Sequence, residues 1–104
     1  MAHRHYLFLH RTPPRDGGAE SFDLALTAAA FDQDVTLLLL DDGVLWLAQG
    51  LPDLVAETVE TILVESESLA ERGLSGLDLP RHVRKEDRSA VAALIAAAGR
   101  VIPQ

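Results

Sequence analysis

The chain has 104 residues, no cysteine and a formal net charge of −7, with 16 Asp and Glu against 9 Lys and Arg. At 48% hydrophobic and 24% charged residues it has the material for a packed core, and residues 1–104 read as one domain. The acidic balance makes direct nucleic-acid binding unfavourable, and the missing thiol excludes a disulfide framework, a thiolate zinc site, or a persulfide or thioester carried on this chain.

Tyr6 to His10 is a short apolar run stopped by Pro13-Pro14, as in a buried first strand. After Gly17-Gly18, the residues Phe22, Ala25, Leu26 and Ala29 recur at helical spacing and predict a helix from about Glu20 to Phe31. Val35 to Leu40 is a continuous apolar run, the pattern of a central strand covered on both faces. Asp41-Asp42-Gly43 then has two readings. It is a hairpin turn returning through Val44 to Ala48, or a strand end followed by a helix from Val44 to Gln49 with a break at Gly50. A polar helical stretch around Asp53 to Glu57 leads to a third strand at Thr61 to Val64.

Ser66 is placed to cap the next helix, with Glu67 in its first turn, Gly73 as a left-handed stop and Leu74 folding back on Leu69. His82-Val83-Arg84 is a weak fourth strand. Asp87 caps a helix with Val91, Leu94, Ile95 and Ala98 on one face and Gly99 at its end, and Arg100 to Ile102 forms a last strand. This alternation predicts an α/β fold, a three-layer parallel sheet of about five strands with helices on both faces. No apolar run approaches the ~20 residues that span a bilayer, and no signal-peptide core is visible, so the expectation is a cytoplasmic chain without membrane contact.

Ligands of open parallel sheets sit outside the carboxyl ends of the strands, here His10, Arg11, Thr12, then Asp41 to Gly43, then Glu65-Ser66. His10, Arg11, Thr12, Asp42, Gly43 and Ser66 are therefore the ligand-binding candidates. A metal- or carboxylate-dependent hydrolase using His10 and Asp41 ranks last, since no catalytic spacing is present. Asp41-Asp42 could hold Mg²⁺, but capping by Asp42 accounts for the same residue. His3 and His5 are better explained by solvation than by a metal, and Gly17-Gly18 by a flexible loop than by a phosphate cradle. No metal centre and no cofactor is expected. Leu45, Trp46 and Leu47 form an apolar triplet that one small core cannot take whole, which makes them interface candidates.

In three anchors the chain resembles the DsrE/DsrF/DsrH group of intracellular sulfur-relay proteins, which includes TusB, TusC and TusD. The anchors are His10-Arg11-Thr12-Pro13, Leu37 to Leu40 followed by Asp41-Asp42-Gly43-Val44, and Glu67 to Leu74. The loop before the first helix resembles the TusC/DsrF branch, the His-Arg-Thr-Pro exit and the short chain the TusB/DsrH branch. The resemblance implies a parallel sheet in which the Asp-Gly opens a helix. It also implies that sulfur-carrying members keep a cysteine just after the third strand, where counting back from Gly73 places Glu65. A carboxylate cannot take up sulfane sulfur. The implied role is a non-catalytic subunit of an oligomer of related subunits, which meets a small sulfur-carrier protein only indirectly, in tRNA 2-thiouridine synthesis or sulfur oxidation. The alternative is a stand-alone module binding a nucleotide or small anion at the sheet edge.

Overall fold

The computed structural model describes residues 5–15, 18–31 and 33–104. Its elements are β1 (His5–His10), a 3₁₀ turn (Gly18–Phe22) running into α1 (Asp23–Ala30), β2 (Asp34–Leu39), and a second 3₁₀ turn (Asp41–Val44) running into α2 (Leu45–Gln49). After these come α3 (Asp53–Thr58), β3 (Thr61–Glu65), α4 (Ser66–Glu71), β4 (Val83–Glu86), α5 (Arg88–Ala97) and β5 (Arg100–Pro103). The five strands form one sheet in the order β4-β3-β2-β1-β5, every neighbouring pair parallel.

Alternation along each strand divides the core in two. Phe8, Leu37, Leu39, Ile62, Val64 and Val83 face the side covered by α1 to α4, where Ala25, Trp46, Leu47, Val55 and Leu69 meet them. Leu7, Leu9, Leu38, Leu40 and Leu63 face the other side, covered by Val91, Leu94 and Ile95 of α5. The continuous run Val35 to Leu40 is buried throughout because β2 is central and both its faces are covered.

Several expectations change in detail. No hairpin follows β2: the neighbours of β2 are β1 and β3, and Asp41 to Gln49 is helical. Gly43 allows this, because a Cβ there would lie 1.9 Å from the His10 carbonyl oxygen. The first helix begins with a 3₁₀ turn and is α-helical only from Asp23. Neither Ser66 nor Asp42 is a cap. Glu65 is the N-cap of α4, so Ser66 is already its first residue and donates to the Glu67 carboxylate at 2.9 Å. Leu40 precedes the 3₁₀ turn, and Asp42 instead accepts from Arg72. By contrast Asp87 caps α5, accepting from the Ala90 N–H at 2.7 Å. Gly73 takes a φ of 70° and ends α4 with a Schellman pair, the N–H groups of Leu74 and Gly73 donating to the carbonyls of Leu69 and Ala70.

Of the apolar triplet, Trp46 and Leu47 are buried in the chain's own core and only Leu45 is half-exposed. Trp46 and Leu47 join the core cluster on the face covered by α1 to α4, and Leu45 is the partly exposed member of the triplet. Large apolar side chains are exposed elsewhere, at Leu24, Phe31 and Leu54. Among the described residues no helix is long and apolar enough to cross a membrane.

Candidate functional site

The carboxyl ends of β1, β2 and β3 lie side by side, with His10 paired to Leu39 and Leu39 to Val64. The candidates on these ends separate into two clusters. The first is at the corner of β1 and β5. There His10 is fully buried, stacked on Phe22 with ring centroids 4.1 Å apart and met edge-on by Trp46. Its Nδ1 lies 3.2 Å from Gln104 Oε1 and its Nε2 3.3 Å from Ser21 Oγ. Ser21 gives its own proton to the Gly18 carbonyl at 2.6 Å. It can therefore only accept from the imidazole, as can Gln104 Oε1, so neutral His10, with a single ring N–H, donates to one of the two. Burial lowers the His10 pKa below its ordinary value, opposed by the contacts to Gln104 and Thr12. His10 is thus an interior side chain set between Ser21 and Gln104.

Arg11 turns outward and donates to Asp41 at 2.9 Å; Thr12 donates to the Gln104 carbonyl at 3.0 Å and accepts from the Trp46 indole through its own carbonyl at 2.8 Å. Asp42 faces the other way, towards Arg72 at the C-terminal end of α4. Among the described residues, no group of three His, Cys, Asp or Glu side chains could hold a metal. His5 contacts Thr36 at 2.9 Å, while His3 and Gly17 fall outside the described residues.

The second cluster stands where β3 and β4 part. Glu65 and Glu86 are paired across these strand ends, and the chain leaves β3 into α4 on one face and β4 into α5 on the other. Such a divergence opens the crevice in which α/β sheets bind ligands. Here it is closed by side chains. The Glu65 carboxylate, 4% exposed, accepts from Ser68 at 2.6 Å and from Arg88 at 2.9 Å. Ser68, also buried, accepts in turn from the Asp41 N–H at 2.8 Å. Asp41 has a φ of 51°, a left-handed conformation that Asp tolerates better than most residues. Glu67 takes the Arg88 backbone N–H at 3.0 Å, placing a negative charge at the N-terminus of α5. Desolvation raises the Glu65 pKa, but the Arg88 guanidinium and Ser68 hydroxyl more than offset it, leaving the carboxylate below its ordinary range. The contact with Glu65, and more weakly that with Glu71, raises the pKa of Arg88.

A family model described as the DsrE/DsrF-like family matches residues 4–103 of the chain. The chain belongs to this family. It is 32% identical to a Protein TusC homolog of Vibrio parahaemolyticus, over 76% of this chain and 79% of that protein. It is 34% identical to the Intracellular sulfur oxidation protein DsrF of Allochromatium vinosum, over 71% of this chain and 66% of that one. A Protein TusC homolog of Pseudomonas aeruginosa is 34% identical over 92% of this chain and 94% of its own. The crystal structure of the YchN protein from E. coli superposes with a TM-score of 0.76 at 17% identity, covering 99% of this chain and 100% of that one, a likeness of fold.

Sequence reasoning named Glu65 for its position but missed its partners Ser68 and Arg88, along with Ser21, Phe22 and Gln104 around His10. Two signals were present. An Arg in the first turn of a helix opposes the helix dipole and asks for a nearby carboxylate. A Ser three residues after a Glu that ends a strand occupies the third helical position, from which a side chain reaches back to the cap.

Proposed function

We propose that the chain is a non-catalytic subunit of a sulfur-relay complex, supporting persulfide transfer by a cysteine-bearing related subunit in tRNA 2-thiouridine synthesis or in sulfur oxidation. The observation that carries this reading is the closed crevice at Glu65. A relay step needs a sulfur nucleophile that can be reached and released. The chain has no thiol, and at the strand end where one is expected the side chain is a buried carboxylate held by Arg88 and Ser68. The relatives include two TusC homologs and a DsrF, whose branch supports placement beside sulfur-carrying subunits. Association is supported by the exposed Leu24, Phe31 and Leu54, since large apolar side chains on a small domain commonly meet a partner. Leu45, half-exposed on α2, is the interface candidate nearest the carboxyl edge.

Co-expression with a cysteine-bearing DsrE-type subunit tests the proposal. The two chains should co-elute in size-exclusion chromatography at micromolar concentration, and Leu45→Asp should weaken the association by about tenfold without lowering the thermal midpoint of the isolated chain. A stable monomer that ignores such a subunit would overturn the reading.

A further inference from the structure

Beside the first cluster, the exits of β1 and β5 border an open depression of about 520 Å³ whose lining includes Arg11, Thr12, Arg15, Glu20, Ser21 and Gln104. We infer that this depression binds an oxyanion group, phosphate or sulfate, between the guanidinium groups of Arg11 and Arg15.

On a chain of net charge −7, the described lining brings Arg11 and Arg15 together with one carboxylate, Glu20, while Asp41 pairs with Arg11. Arg15 is exposed, and its guanidinium makes no hydrogen bond or ion pair among the described residues. Other arginines of the edge are engaged, Arg72 with Asp42 and Arg88 with Glu65. Arg11 uses Nε on Asp41, which leaves the outer nitrogens of its guanidinium for a second acceptor.

The scaffold beneath is fixed before any ligand arrives. The Arg11 N–H donates to the Gln104 carbonyl at 3.0 Å, the Gln104 N–H to the Leu9 carbonyl at 2.8 Å, and the Gly18 N–H to the Arg15 carbonyl at 2.7 Å. Pro13 and Pro14 stiffen the segment between the two arginines. Preorganisation of this kind lowers the entropic cost of binding.

The ligand class follows from the groups that have protons to give. The Thr12 and Ser21 hydroxyls already donate to backbone carbonyls, at 3.0 and 2.6 Å, so the remaining donors are the two guanidinium groups and the Gln104 amide. These suit a compact anion with several acceptor oxygens. Among the described residues the lining has no aromatic side chain to serve as a platform for a nucleobase. The oxyanion is free phosphate or sulfate, or the phosphate end of a sugar phosphate. The inference is independent of the relay reading and concerns a different corner of the sheet.

Titration of the whole ¹⁵N-labelled chain with sodium phosphate, sodium sulfate and ribose 5-phosphate, at ionic strength held constant with sodium chloride, tests it. Saturable shifts are expected at the Thr12, Gly18 and Ser21 amides, with Arg15→Gln weakening the midpoint by roughly fivefold or more. Asp41→Asn should tighten it, because the competing negative charge on Arg11 is removed while an acceptor oxygen stays. Tighter binding of ribose 5-phosphate than of phosphate identifies a sugar phosphate as the ligand; equal binding identifies the free oxyanion. Shifts that rise linearly without saturating, that chloride reproduces, or that are unchanged in both variants would overturn the inference.

Discussion

Arg88 reaches from the first turn of α5 to the Glu65 carboxylate at 2.9 Å, across the seam where β3 and β4 send their helices to opposite faces. The pair is asymmetric, with the Arg88 side chain 52% exposed and that of Glu65 5% exposed. Removing Arg88 therefore strands a nearly buried carboxylate, whereas replacing both partners by Gln leaves no buried charge. Arg88→Gln should lower the urea midpoint, and Glu65→Gln with Arg88→Gln should lower it by less than the sum of the single effects. The pH dependence gives a second reading. The Glu65 pKa is depressed in the folded chain, so its stabilisation is present above the unfolded carboxylate value of about 4.3 and is lost as pH falls through the lower folded value. In Arg88→Gln the loss should begin at higher pH.

Ser68 joins two strand ends through one hydroxyl, donating to Glu65 and accepting from the Asp41 N–H. Ser68→Ala leaves the amide without this partner and the carboxylate with one donor fewer, at a cost of about 1–3 kcal/mol. Ser66→Ala, which removes only a contact to the neighbouring Glu67, should cost at most about 0.5 kcal/mol. Equal losses in the two variants, measured by chemical denaturation, would contradict the network.

Gly43 is required for closeness, its ideal Cβ falling 1.9 Å from the His10 carbonyl oxygen, which also accepts from the Leu40 N–H at 3.2 Å. Gly43→Ala has to push the 3₁₀ turn away from β1 and should destabilise by about 1–3 kcal/mol or more. Gly76→Ala meets nothing within 4 Å and serves as the control, with an expected change within about 0.5 kcal/mol. Thermal unfolding of the two variants checks the contrast.

His10 makes stability depend on pH in a separate window. Its folded pKa is lowered by burial, so between that value and the unfolded value of about 6.5 the unfolded chain binds more protons. Stability is complete above about pH 6.5 and falls as pH drops through this window, levelling off below the folded pKa. His10→Phe should remove this part of the slope while leaving the carboxylate region unchanged, as followed by unfolding midpoints from pH 4 to 8 on the order of half-unit steps.

The elements were legible wherever one local rule governed them. Val35 to Leu40 reads as central because only a strand covered on both faces is apolar without alternation. Asp87 and Gly73 mark helix ends because a carboxylate cap and a left-handed φ belong to particular residue types. Asp41-Asp42-Gly43 was not decidable from such rules. Asp-Gly suits a hairpin as well as a helical entry, and the choice depends on the approach of Gly43 to the His10 carbonyl on β1.

What the sequence determined by itself is the absence of a thiol, the acidic balance and the alternation of strands with helices, all properties of composition and local pattern. Tertiary structure alone decided which polar groups meet. Arg88 is 23 residues from Glu65 and Gln104 is 94 from His10, and each contact exists only because the parallel sheet brings distant strand ends to one edge. It also decided that Trp46 turns inward and that Arg15 shares a depression with Arg11, since burial and concavity arise from how helices lie on a sheet and leave no mark in residue spacing.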